Sequence, residues 1–125
     1  MGRFFGVAGA LFGLSGVALG AFGAHALRAR LSPADLAVFE AAVRYQLFHA
    51  LALVLVAILA ERNQSRALQT AGWGFLVGIG VFAGSLYILT LAGQRWLGAV
   101  TPVGGVAFLV GWGAFAWGFL RKEGS

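Results

Sequence analysis

The chain has 125 residues, of which 60% are hydrophobic and only 10% charged. Soluble domains carry about 25% charged residues, so this composition excludes an ordinary soluble fold and points to a membrane protein. The net charge of +5 comes from basic residues at the ends of hydrophobic runs, where headgroup anchors sit, and not from a patch suited to nucleic acid. With no cysteine, the chain has no disulfide framework, thiolate metal site or cysteine nucleophile.

Four hydrophobic spans succeed one another, over about residues 4–24, 36–60, 67–91 and 100–120. Each is long enough, at about 1.5 Å per residue, to cross a hydrocarbon core of roughly 30 Å. The expected fold class is all-α: one integral membrane four-helix bundle of two tandem helical hairpins, with no stretch left for a soluble domain. In the first span, Gly2, Gly6, Gly9, Gly13, Gly16, Gly20 and Gly23 recur at alternating steps of four and three. Such a ladder stays on one side of a helix, drifting about 20° per heptad. Glycine is poor helix material in water, but in lipid small residues let a second helix come close. The ladder therefore predicts a flat helix-packing face. A secretory signal ending at Ala24-His25-Ala26 competes with this reading, but a signal sequence has no need of a glycine face.

The basic connection with Arg28 and Arg30 leads to Ser32-Pro33-Ala34-Asp35. Serine suits an N-cap, proline the first helical position, and Asp35 the acid of a capping box. A polar loop, Glu61 to Arg66, joins the second span to an uncharged third. The third span carries the small-residue pairs Gly74/Gly78 and Gly80/Gly84. Gly93 to Gly98 form a turn, and Thr101-Pro102 is expected to cap the fourth span. In that span Gly104, Gly111 and Gly118 recur every seven residues, and Arg121 and Lys122 close it.

Lysine and arginine counts predict orientation. Arg3, Arg62, Arg66, Arg121 and Lys122 fall on one side, against Arg28, Arg30 and Arg95 on the other. Both termini are thus expected in the cytoplasm. The polar residues then collect in the outer half: His25, Glu40, Arg44, Tyr45, Gln46, His49, Ser85, Tyr87, Thr90 and Thr101. Polar groups at membrane depth need partners or water, so one connected cluster is expected. Glu40 and Arg44 have the spacing of a helical ion pair, either in the headgroups or lining a cavity. His49 faces away from Glu40. It reads as bonded to a neighbouring helix, with Ser85 or the Gly23–His25 backbone as partner, or as a ligand, proton or metal group. His25 suits the carbonyl end of the first helix. The outer end of the glycine ladder, Gly20 to His25, then reads as the wall that brings His25 to the cluster.

Two histidines without cysteine make a poor zinc site. A haem shared by His25 and His49 is disfavoured, because His49 lies about 9 Å deeper by helical rise. Ser85 has no nucleophile elbow around it. No cofactor or metal is expected.

Gly20-Ala21-Phe22-Gly23-Ala24-His25, Tyr45-Gln46 with His49-Ala50, Phe82-Ala83-Gly84-Ser85-Leu86-Tyr87, and Thr101-Pro102-Val103-Gly104-Gly105 with Gly111-Trp112 occur in that order. Together they resemble the YgdD/YwdK family of small bacterial membrane proteins, over nearly the whole chain. Eukaryotes have similar small transmembrane proteins. The resemblance implies a four-helix protein of the bacterial inner membrane and no particular reaction, the family being a domain of unknown function. It directs attention to His25, Tyr45, Gln46, His49, Ser85, Tyr87 and Thr101.

The leading functional expectation is non-enzymatic: a structural or accessory protein in the lipid bilayer, packing as a homo-oligomer or against a membrane-protein partner. The alternative is binding or transport of a lipid, hydrophobic small molecule or proton at the polar cluster. A membrane enzyme fits least, since such enzymes carry denser histidine and carboxylate motifs. The expected helix-packing glycines are Gly6, Gly9, Gly13, Gly16, Gly20, Gly23, Gly78, Gly84, Gly104 and Gly111.

Overall fold

The computed structural model of the protein describes residues 2–121, apart from the side chain of Ala24. Lys122, expected to close the last span, lies outside them. Four helical spans are long and apolar enough to cross a membrane. The first is α1, Gly2–Ala26, and the second is α2, Pro33–Arg62. The third is composite: α3, Arg66–Gly78, runs through a π-helical segment, Ile79–Ala83, into α4, Gly84–Ala92. A 3-10 turn, Arg95–Ala99, precedes α5, Thr101–Leu120. The described chain is thus an all-α four-helix membrane bundle. Its closest packing is within two antiparallel hairpins, α1 on α2 and α3 on α5.

The helix ends obey local chemistry. Ser32 is extended, and its hydroxyl accepts from the Asp35 N–H at 3.1 Å. Asp35 does not complete a capping box. Its carboxylate is held by both terminal nitrogens of Arg95, at 2.8 and 2.7 Å, which ties the 3-10 turn to the start of α2. A bidentate guanidinium is the stronger competitor for a carboxylate than one backbone N–H. Ser65 caps α3 by accepting from the Leu68 N–H at 3.1 Å. Ser65→Ala should lower stability by about 1 kcal/mol, read as a shifted midpoint of unfolding in mixed micelles. Thr101 is not the cap expected of it. Its hydroxyl donates back to the Leu97 carbonyl at 3.1 Å, one turn earlier, and α5 has no side-chain cap. Gly93 ends α4 in the left-handed region (φ 70°), where a side chain would be strained.

The glycine ladder of α1 resolves into two series. Gly2, Gly9, Gly16 and Gly23, seven residues apart, are buried in the seam with α2. They face Ala57, Ala50, Leu47 and Phe39 in turn. The matching stripe on α2 is also a heptad: Phe39, Val43, Gln46, Ala50, Leu53, Ala57 and Ala60 are all buried. A Cβ on Gly9 would lie 2.9 Å from the Ala50 carbonyl oxygen, so the two backbones are nearly in contact. Gly6 and Gly20 flank this seam with ordinary to tight clearances, 3.4 Å to Ala57 and 3.2 Å to Val43. Gly13 is a correction: nothing lies within 4 Å of its Cβ position. A face of alternating four and three steps has two edges, and only one is the line of closest approach.

In the second hairpin Gly74 meets the backbone of Gly111, with a Cβ position 2.8 Å from both its Cα and N. Gly78, Gly111 and Gly104 instead make sockets, for the rings of Phe108 and Phe75 and for the main chain of Phe82. Gly84 is the second correction. It lies next to the π segment, donates to the Ile79 carbonyl five residues back, and has open space at its Cβ position. Gly80 lies two residues beyond Gly78, about 200° around a helix of 3.6 residues per turn, so Gly80 and Gly84 are off the face that Gly74 and Gly78 occupy.

Backbones of α2 and α5 do not approach closely. The gap is filled by aromatic rings, among them Tyr45, Phe75, Phe82, Phe108, Trp112 and Phe115. Large apolar side chains such as Leu14, Phe22, Leu109 and Leu120 stand exposed and form the surface offered to lipid.

Candidate functional site

The expected polar cluster is not one site. The structure divides it into three small groups.

The first is centred on Gln46, which is 3% exposed in the α1–α2 seam. Its amide nitrogen donates to the Phe12 carbonyl and the Ser15 hydroxyl of α1, both at 2.9 Å. Its amide oxygen accepts from the Tyr87 hydroxyl of α4. One side chain thus joins three spans. A lone polar residue in an apolar heptad seam fixes register, because sliding α1 past α2 by one turn strands its hydrogen bonds. Nothing in the sequence points to Ser15, since a single serine amid glycine and leucine reads as another small packing residue. Gln46→Leu should cost about 1 kcal/mol, the usual scale of such bonds in membranes, and should loosen α1 more than α5. Equilibrium unfolding measures the first effect, and hydrogen exchange at α1 amides the second.

The second group surrounds His49, 6% exposed in mid-α2. Its Nδ1 lies 2.7 Å from the Tyr45 carbonyl oxygen, and its Nε2 lies 3.0 Å from Trp112 Nε1 of α5. A carbonyl only accepts and an indole N–H only donates, so Nδ1 carries the proton and Nε2 accepts. Both ring nitrogens are used, in the neutral tautomer. The imidazole stacks on Phe108 with centroids 3.6 Å apart and planes 15° apart, and Phe75 closes another side. The partners expected from sequence, Ser85 and the Gly23–His25 backbone, are replaced by Tyr45 and Trp112. Three and four residues separate neighbours on one helix face, but nothing in the sequence pairs residue 49 with residue 112. Depth along the helices alone sets Trp112 apart from the polar residues.

The third group is Ser85 with Thr101, hydroxyl to hydroxyl at 2.7 Å. With the Thr101 proton on the Leu97 carbonyl, the Ser85 hydroxyl supplies the proton, which it shares between Thr101 and the Phe82 carbonyl of the π segment 3.0 Å away. The pair joins the third span to α5. Thr90, which is also buried, bonds only within its own helix, to the Leu86 and Tyr87 carbonyls.

Three expected members stand apart. His25 is exposed at the end of α1, and no hydrogen bond joins it to these groups. Gly23 closes on Phe39 instead of presenting His25, so the role expected of the outer ladder end in delivering His25 is corrected; close packing is not confined to that end, since Gly9 lies against the Ala50 main chain. Glu40 and Arg44 are both exposed, and among the described residues the one salt bridge is Arg95 with Asp35, not this pair. Two long side chains at an exposed helix surface gain little from pairing. Tyr45 is 41% exposed; its ring packs on Phe82 and its carbonyl serves His49.

Every buried side-chain nitrogen and oxygen among the described residues has a hydrogen-bond partner. The described residues hold no group of three or more histidines or carboxylates able to bind a metal ion. Chemically, these polar groups are fasteners between helices.

Fold and site define a small multi-pass membrane protein whose spans are joined by glycine seams and internal hydrogen bonds. The family model described as "Protein of unknown function (DUF423)" matches residues 19–105, and the chain belongs to that family. It is 44% identical over 111 residues to the UPF0382 membrane protein YwdK of Bacillus subtilis, covering 88% of this chain and 90% of that one. It is 43% identical over 110 residues to a UPF0382 membrane protein of Staphylococcus haemolyticus, covering 88% and 89%. Another, from Staphylococcus saprophyticus, is 44% identical over 110 residues, covering 88% and 91%. No solved structure matches the chain.

Proposed function

We propose that the protein is a non-enzymatic structural or accessory component of the bacterial inner (cytoplasmic) membrane. It assembles through its helix faces, with itself or with a larger membrane protein. The observation that carries this reading is the set of glycines the bundle does not use. Gly13, Gly80, Gly84, Gly105 and Gly113 have no atom within 4 Å of their Cβ positions. Gly80 and Gly84 keep the four-residue spacing of a small-residue contact, on a span that already spends Gly74 and Gly78 internally. The unequal distribution of arginine and lysine supports placing both termini in the cytoplasm. Ligand binding at the polar residues has less support, because their buried atoms already pair with one another.

The chain has no cysteine, so a single introduced thiol reports on one position. Gly80→Cys and Gly84→Cys should give oxidative crosslinks in native membranes, to a second copy or to a partner. Leu109→Cys, 72% exposed on α5, should give none. A monomer without adducts at all three positions overturns the proposal.

A further inference from the structure

We propose a binding site for one anionic phospholipid at the end of the bundle that carries the 61–66 loop, distinct from the three polar groups. Two adjoining clefts open there. One, of about 380 Å³, has an apolar floor of Leu59, Leu68, Phe115 and Phe119, with Arg62 and Ser65 at its rim. The other, of about 640 Å³, is bordered by Arg66, Trp117 and Arg121. They share Ser65 and Gly118. Gly118 sits close to Ala67, with 3.3 Å to its Cβ from a Cβ position, so a small residue keeps the passage between the clefts low.

The combination selects a lipid by its two halves. The floor of the first cleft suits an acyl chain. Three arginines, Arg62, Arg66 and Arg121, surround the clefts, and all three are exposed. Among the described residues none of the three forms a salt bridge, the one such pair lying at the opposite end. Among the described residues the nearby acid is Glu61, and it is turned toward α1, its Cγ 3.5 Å from the Cβ position of Gly2. The start of α3 adds positive potential: Ser65 serves the Leu68 N–H, while the Arg66 and Ala67 N–H groups have no intrahelical acceptor. Arg121 is steadied over the Trp117 ring at 5.3 Å. Basic clefts between spans at the headgroup level suit anionic headgroups, whereas phosphatidylcholine brings its own cation.

The test is native mass spectrometry of the protein released from nanodiscs of equal phosphatidylglycerol and phosphatidylcholine. One phosphatidylglycerol should remain bound in preference to phosphatidylcholine. Arg62→Gln/Arg66→Gln should weaken its retention about 25-fold, at about fivefold per arginine. These side chains make no hydrogen bond among the described residues, and an unchanged unfolding midpoint shows that the variant is folded. Arg28→Gln/Arg30→Gln, the same charge change at the other end, should retain lipid as the wild type does. Added glycerol 3-phosphate should not displace the lipid. Equal retention of both lipids, equal loss in both double variants, or displacement by glycerol 3-phosphate each overturns the proposal.

Discussion

Gly74→Val should destabilise the protein by about 3 kcal/mol and separate the third span from α5. The reason is what the new side chain meets. A Cβ at residue 74 would lie 2.8 Å from Gly111 Cα and N and 2.9 Å from the Ala107 carbonyl oxygen. All three are main-chain atoms, which cannot rotate away, so the helices themselves must part. Separation also disturbs Phe108 in its Gly78 socket and Phe75 in its Gly111 socket. Gly13→Val, on the other hairpin, is the matched control. It meets open space and should change stability by less than about 0.5 kcal/mol. Equilibrium unfolding in mixed detergent micelles compares them. Equal sensitivity at residues 74 and 13 would mean that the described seams are not the close contacts of the bundle.

His49→Ala should cost a similar amount, about 3 kcal/mol, for a different reason. It removes the ring that fills the gap between α2 and α5 and leaves a cavity against Phe108 and Phe75. It also strips the Trp112 indole of its acceptor. His49→Phe separates the two losses. The ring volume returns, the hydrogen bonds do not, and the cost should fall to about 1 kcal/mol. Here the structural and ligand-binding readings part ways. A histidine kept for a ligand is lost without harm to the fold, whereas a fastener is not. An unfolding midpoint in His49→Ala equal to that of the wild type would count against the fastener reading.

Much of the architecture is legible in the residues. Largely apolar runs of helical length mark the four spans, and heptad glycines mark the faces on which they pack. Periodicity works here because it is a property of one helix. It fails where the answer depends on two. The glycine ladder shows a face but not which edge meets α2, so it suggests for Gly13 a contact that this residue lacks. The small-residue spacing of Gly80 and Gly84 matches that of Gly74 and Gly78, but spacing does not say which pair meets a neighbour, and only Gly74 and Gly78 pack on α5.

The polar residues show the same limit. Depth alone puts His49, Gln46, Ser85 and Tyr87 in a common layer, and a common layer suggests one cluster. What divides them is azimuth around each helix, which only the packed bundle defines. Gln46 turns to α1, His49 to α5, and Ser85 to Thr101. The pairing of Arg95 with Asp35 is illegible for a related reason: 60 residues separate the partners, and each has a satisfactory local explanation.

The most direct measurement of the central claim, that the buried polar side chains are consumed in holding helices together, is the protonation of His49. Solid-state nitrogen NMR of histidine-labelled protein in lipid bilayers reads it, with His49→Phe assigning the signal. The structure predicts a proton on Nδ1 and a bare Nε2 that accepts from Trp112, with the Nε2 signal shifting in Trp112→Phe. A proton on Nε2, or signals indifferent to Trp112, would contradict it.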